Sequence, residues 1–190
     1  MERYQFMLMK NGLTKTLTRK RKLFAAAVAV VVCAASLYMQ VFSQSQSAVR
    51  ASEPITLPDG YRDWRLISVA HEAGNLNDIR AILGNDKAVD AYRRGDKSFP
   101  DGAIIARLAW EYTSSKENDA AFGQQQSYVA GSPTNVQLMV KDKQRFGTTG
   151  GWRFAQFTNG KAAPAKTLQG CFSCHAPAKQ SDYLFTKYAR

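Results

Sequence analysis

Ala103-Ile104-Ile105-Ala106-Arg107-Leu108-Ala109-Trp110-Glu111-Tyr112 (residues 103–112) is the stretch that decides the fold. Ile104, Ala106, Leu108, Trp110 and Tyr112 alternate with Ile105, Arg107, Ala109 and Glu111, the two-residue period of a strand rather than the 3.6-residue period of a helix. One face is wholly apolar. The other sets two charges among small apolar residues, and on the residues alone those charges read as solvated. Phe99-Pro100-Asp101-Gly102 just upstream is a turn, because Pro presets φ and Gly accepts a positive φ.

Working outward, residues 64–70 and 78–83 read as two further strands around a loop rich in Gly and Asn (Gly74-Asn75-Leu76-Asn77). Residues 86–94 read as a short helix, with Asp86 as the N-cap candidate and Gly95 as its stop. Downstream, residues 135–140 predict a strand and residues 141–145 a short helical turn. Gly150-Gly151 then opens another strand over 152–157, closed by the turn Thr158-Asn159-Gly160-Lys161. Hairpin-like strands with a few short helices and no repeat predict an α+β domain built on a mainly antiparallel sheet.

The 190 residues are 45% hydrophobic and carry a formal net charge of +11. That apolar fraction excludes a disordered chain, and three cysteines are too few for a disulfide scaffold. The charge is unevenly placed. Residues 1–22 hold seven Lys or Arg against Glu2 alone, a net +6, and residues 23–49 hold no charge. From Arg50 onward 19 basic and 14 acidic residues leave +5, scattered with no run that would track phosphates, so nucleic acid is not an expected partner.

The basic start followed by the apolar stretch 23–42 and the small, polar residues 43–48 has the layout of a bacterial export signal. Its 20 apolar-rich residues are also long enough to span a bilayer of about 30 Å. The expected organisation is therefore an export signal or membrane anchor over residues 1–47, a Pro-containing lead-in over 48–60 and one folded domain over 61–190. The protein is expected in the periplasm, touching the membrane only through its N-terminal segment.

Cys171-Phe172-Ser173-Cys174-His175 carries the chemistry. C-x-x-C-H reads as covalent haem c attachment: two thiols one helical turn apart reach the two vinyl groups along one haem edge, and the adjoining imidazole ligates the iron. A thioredoxin-like pair would want a preceding strand and a following helix. A zinc site would need two further Cys or His, and the exported part offers only His71. One haem c is expected, covalently bound through Cys171 and Cys174, with His175 as metal ligand. His71 and Met139 are the only candidates for a sixth ligand; an exposed loop His and a core strand Met are the ordinary readings of the two.

These segments together resemble the cytochrome P-460 family, which includes the β-sheet type of cytochrome c′. The resemblance runs through Tyr61-Arg62-Asp63-Trp64, Phe99-Pro100-Asp101-Gly102, Val140-Lys141-Asp142-Lys143-Gln144-Arg145-Phe146, Gly151-Trp152-Arg153-Phe154, the haem motif and Asp182-Tyr183-Leu184-Phe185-Thr186-Lys187-Tyr188. It implies a five-coordinate haem, often in a homodimer, and a small gaseous or nitrogenous ligand. The name-giving members carry a lysine–porphyrin bond and oxidise hydroxylamine. Counting along Asp101-Gly102-Ala103-Ile104-Ile105-Ala106-Arg107 puts Arg107 at that lysine's place, and a guanidinium, protonated at any working pH, is a poor nucleophile. No lysine–haem bond is expected, which weighs against hydroxylamine oxidation.

Members without that bond bind nitric oxide under an aromatic cap, for which Phe99, Trp110, Phe154 and Phe157 are the candidates beside ordinary core packing. Arg107, paired with Glu111, becomes a candidate catalytic or haem-pocket cation near a propionate or the distal ligand. The expectation is a mono-haem cytochrome with an open distal site that binds or transforms nitric oxide, hydroxylamine or a related nitrogen species. It would act as a haem oxidoreductase with a redox partner protein. The alternative is a six-coordinate electron-transfer cytochrome c.

Overall fold

A computed structural model of the chain describes residues 31–41, 55–168 and 170–189. It divides into two units, Met1–Glu53 and Pro54–Arg190. In the first, residues 31–41 are helical and exposed, with the Ser36 hydroxyl donating to the Val32 carbonyl at 2.8 Å. The remainder of the expected signal or anchor lies outside the described residues. Among the described residues no helix is long and apolar enough to cross a membrane.

The second unit is a six-stranded antiparallel sheet whose spatial order follows the chain order: β1 (Arg65–Glu72), β2 (Asp78–Gly84), β3 (Ile104–Ser114), β4 (Tyr128–Lys141), β5 (Trp152–Thr158) and β6 (Lys161–Ala162). Helix α1 (Asp86–Arg94) joins β2 to β3, α2 (Lys116–Phe122) joins β3 to β4, and α3 (Ala165–Leu168) and α4 (Cys171–His175) follow the sheet. This is the expected α+β architecture.

Alternation on the central strands covers both faces. On the first, Ile82, Ile105, Met139 and Trp152 pack with Ala88, Val89 and Ala91 of α1, with Phe99 and with Leu184 of the C-terminal segment. On the second, Leu83, Ala106, Leu108, Leu138, Ala155 and Phe157 pack with one another and with Ile55, Leu57, Tyr61 and Trp64 from the lead-in. Each fully buried Val, Leu, Ile, Phe or Met side chain among these contributes about 1.5–3 kcal/mol. The charges on the Arg107 face are therefore not all solvated, since the start of that face is core.

The N-cap of α1 is Asn85, not Asp86. The Asn85 side-chain oxygen accepts from the Ala88 N–H at 3.1 Å, and Asp86 is the first helical residue. Asn85 also accepts from the Ile104 N–H at 3.0 Å and donates to the Gly102 carbonyl at 2.9 Å, so one side chain ties the helix start to the start of β3. Gly95, at φ 74, closes the helix as expected. The helical turn expected at 141–145 is a single turn, in which the Phe146 N–H donates to the Asp142 carbonyl at 3.0 Å. Asn159 and Gly160, at φ 50 and 75, form the hairpin turn into β6.

The C-terminal segment crosses the first face and is pinned along its length. The Trp152 indole N–H donates to the Asp182 carbonyl at 2.8 Å, the Tyr92 hydroxyl to the Thr186 carbonyl at 3.1 Å and the Ala189 N–H to the Ile67 carbonyl at 2.9 Å.

Candidate functional site

Gly170 precedes α4, a helix of five residues that holds the whole Cys171–His175 motif. One helical turn sets the two cysteines on the same side, with Cys171 half-buried, Cys174 exposed and neither in a disulfide. Burial, then the neighbouring Cys174, push the Cys171 thiol up from its ordinary value. Among the described residues no three or more His, Cys, Asp or Glu side chains converge as a metal site would require, so the thiols lack the further ligands of a zinc centre.

So short a helix cannot orient the imidazole by itself. The orientation comes from the Tyr183 backbone: His175 Nδ1 lies 2.7 Å from the Tyr183 carbonyl oxygen. A carbonyl only accepts, so Nδ1 carries the proton and Nε2 keeps its lone pair for a metal. The rings of Phe154 and Phe185 flank the imidazole at 5.1 and 5.2 Å. Phe185 is 65% exposed, an apolar wall beside the imidazole. A proton-bearing Nδ1, a free Nε2 lone pair, two thiols on one turn and an apolar wall fit a haem, with His175 to hold the iron and the cysteines to hold the macrocycle.

Arg107 lies on the same sheet face as Phe154 and is largely buried, its side chain 14% exposed. Its carboxylate partner is Asp78 on β2 and not Glu111. Asp78 is 3% exposed and takes Arg107 Nη2 on one oxygen and Arg80 on the other, the latter with Nε at 2.9 Å. Arg107 Nη1 also donates to Asn135 Oδ1 at 2.8 Å. Glu111 is exposed, opposite Asp78 across β2–β3 and at the β3–β4 irregularity between Trp110 and Tyr112. Beside this cluster Gln137 donates to Gln156 at 2.8 Å. Arg107 Nε is buried without a hydrogen-bond partner. Burial, then the charge of Arg80, hold the Arg107 guanidinium below its usual value, and Asp78 offsets part of this.

Of the four aromatic cap candidates only Phe154 meets His175. Phe99 and Phe157 are buried in the first and second cores, and Trp110 packs on the second. Met139 is buried in the first core as the cross-strand neighbour of Phe154. His71 pairs across β1–β2 with Ile79, which pairs with Trp110, so it stands on the second face, stacked on Tyr112 at 3.7 Å. An open cleft of about 290 Å³, lined by Leu57, Leu108, Trp110 and Phe157 among others, holds none of the motif residues.

The sequence matches the family model for Cytochrome P460 over residues 58–186, more than half of the chain. The chain belongs to the cytochrome P460 family. A search of curated proteins finds no significant match. Family membership makes the protein a haem-binding cytochrome, and the matched span contains the sheet, Arg107 and the whole Cys171–His175 motif. In this cytochrome the residues that sequence reasoning left without a role are Asp78, Asp182 and Tyr183. A cross-strand partner or a backbone carbonyl has no local signature: the strand register brings in Asp78, and docking of the C-terminal segment brings in Asp182 and Tyr183.

Proposed function

We propose that the protein is an exported, mono-haem c-type cytochrome with an open distal site for nitric oxide, hydroxylamine or a related small nitrogen species. Cys171 and Cys174 form the thioethers and His175 is the proximal ligand. When bound, the haem iron supplies the ligand-binding and redox chemistry. The position of the two other candidate ligands carries this reading: Met139 is packed in the core and His71 stands on the opposite face of the sheet from Phe154 and His175. Core packing of Met139 and the far-face location of His71 support a haem without a sixth protein ligand.

Arg107 is the cation for a haem propionate or for the distal ligand, which the buried Nε without a partner supports. Asp78 and Asn135 hold its guanidinium, while Glu111 lies in solvent. With arginine at this place no lysine–porphyrin bond forms. The charge asymmetry of residues 1–22 and the apolar stretch after them support export to the periplasm, where haem c is attached.

Ferric and ferrous absorption spectra of the purified protein, with and without nitric oxide, test the proposal. A five-coordinate ferrous spectrum that changes on adding nitric oxide is expected. A six-coordinate ferrous spectrum indifferent to the ligand would sink it and favour an electron carrier. Replacing His175 should abolish axial ligation, and replacing Cys171 or Cys174 should weaken covalent retention of haem.

A further inference from the structure

We infer that the buried Lys141–Asp182 ion pair is a positioning device for His175, acting through the Tyr183 carbonyl. The inference rests on the axial role proposed for His175. The basicity of a ligating imidazole is set by what its other ring nitrogen donates to, and here that acceptor is the Tyr183 carbonyl at 2.7 Å.

The acceptor sits on unusual backbone. Asp182 and Tyr183 are consecutive non-glycine residues with φ of 51 and 68, a conformation that persists only where surrounding contacts over-determine it. Those contacts converge on Asp182. Lys141 Nζ donates to its two carboxylate oxygens at 2.7 and 2.8 Å, and the Phe99 N–H donates to Oδ2 at 2.8 Å. The third Lys141 proton goes to the Gly150 carbonyl at 2.9 Å. Lys141 is 1% exposed, with Nζ 4.7 Å from the centre of the Trp152 ring. A methyl at Gly150 would overlap the Tyr183 ring, so the same cluster fixes both the backbone and the side chain of Tyr183.

Docking the segment does not by itself explain a buried ion pair. Leu184, Thr186 and Ala189 already pin it downstream, and a buried pair is often no more stabilising than apolar residues of the same volume. What it supplies is a fixed geometry one residue before the carbonyl that His175 uses.

The test uses the haem-loaded protein and the double variant Lys141→Met/Asp182→Asn. It removes both charges together, keeps volume, and leaves at position 182 an acceptor for Phe99 and a residue that tolerates the left-handed region. The readouts are the ferrous iron–histidine stretching band and the reduction potential. A looser Tyr183 carbonyl takes less of the Nδ1 proton's charge, so the band is expected to shift to lower frequency and the potential to rise. Covalent haem content should not change. Tyr92→Phe is the control, since it frees the same segment at Thr186 and leaves every hydrogen bond to Asp182 in place, and it should leave the band where it is.

An unmoved band in the folded double variant overturns the inference, as does an equal shift in Tyr92→Phe. If the double variant does not accumulate, Asp182→Asn alone is read the same way. A band that survives replacement of His175 overturns the axial assignment, and this inference falls with it.

Discussion

Asp78→Asn is the perturbation whose cost follows most directly from the geometry. The carboxylate is 3% exposed and serves two guanidinium groups, one per oxygen, with Arg80 and Arg107 side chains 13% and 14% exposed. An amide keeps one acceptor oxygen for one arginine and turns an N–H₂ group toward the other. Each hydrogen bond between charged groups contributes about 1.5–3 kcal/mol, and a neutral replacement about 1 kcal/mol. The net loss is about 3 kcal/mol, at the lower end of the ~3–5 kcal/mol for removing one partner of a buried pair.

Glu72 keeps the loss from being larger, because it lies 3.7 Å from Arg80 and retains part of the attraction. Glu72 itself is 52% exposed, so Glu72→Gln is the matched control, with an expected cost of at most about 1 kcal/mol. Guanidinium chloride unfolding of the haem-loaded protein measures both, with the denaturant slope unchanged. Adding Arg107→Met to Asp78→Asn should recover part of the loss, since it removes the cation left without a counter-charge. A cost under about 0.5 kcal/mol for Asp78→Asn, or an equal cost for Glu72→Gln, refutes the account of this cluster as a buried charge network.

Burial, then the charge of Asp182, raise the Tyr92 phenol above its ordinary value of 10.0. The unfolded phenol ionises near that value while the folded one stays protonated, so stability complete below pH 10 is lost as the pH rises further. Tyr92→Phe should cost about 1 kcal/mol at pH 7 through the lost bond to Thr186, a gap that narrows above pH 10 in denaturation series. Asn85→Ala removes a helix cap and two further hydrogen bonds, an expected loss of about 2–3 kcal/mol by thermal unfolding. Gly150→Ala meets both a φ of 66 and the Tyr183 ring, and calorimetry should show a loss above about 1 kcal/mol.

Where local chemistry decides a segment, the sequence sufficed. Asp78 opens β2 as expected, and α1 spans the expected residues 86–94 because Gly95 has a role only a helix stop explains. β4 is longer than its sequence suggests. It starts at Tyr128, ahead of the expected 135, and carries Pro133 opposite Trp110, where the β3–β4 register shifts and a missing N–H is tolerated. The haem motif was legible because its spacing is its chemistry. The pairing of Arg107 was not: Glu111 shares its strand face and looks like the natural partner. The choice of Asp78 needs the cross-strand register and the difference in burial between the two carboxylates.

The same division separates two properties of the site that a motif reading merges. The two thiols are brought together by a single turn of α4, so in the proposed haem-loaded protein covalent retention would rest on these five residues. The imidazole meets a carbonyl eight residues downstream, and the residue before that carbonyl is bound by a lysine at the end of β4. In the proposed haem-loaded protein, ligand orientation therefore belongs to the sheet, and attachment to the local helix. Substitutions at Cys171 or Cys174 should lower the haem that survives denaturing electrophoresis. In the molecules that stay loaded, the iron–histidine band should not move. Substitutions at Lys141 and Asp182 should do the reverse. Were both sets to change both readouts together, orientation and attachment would be one local property of α4, and the sheet would be no more than its support.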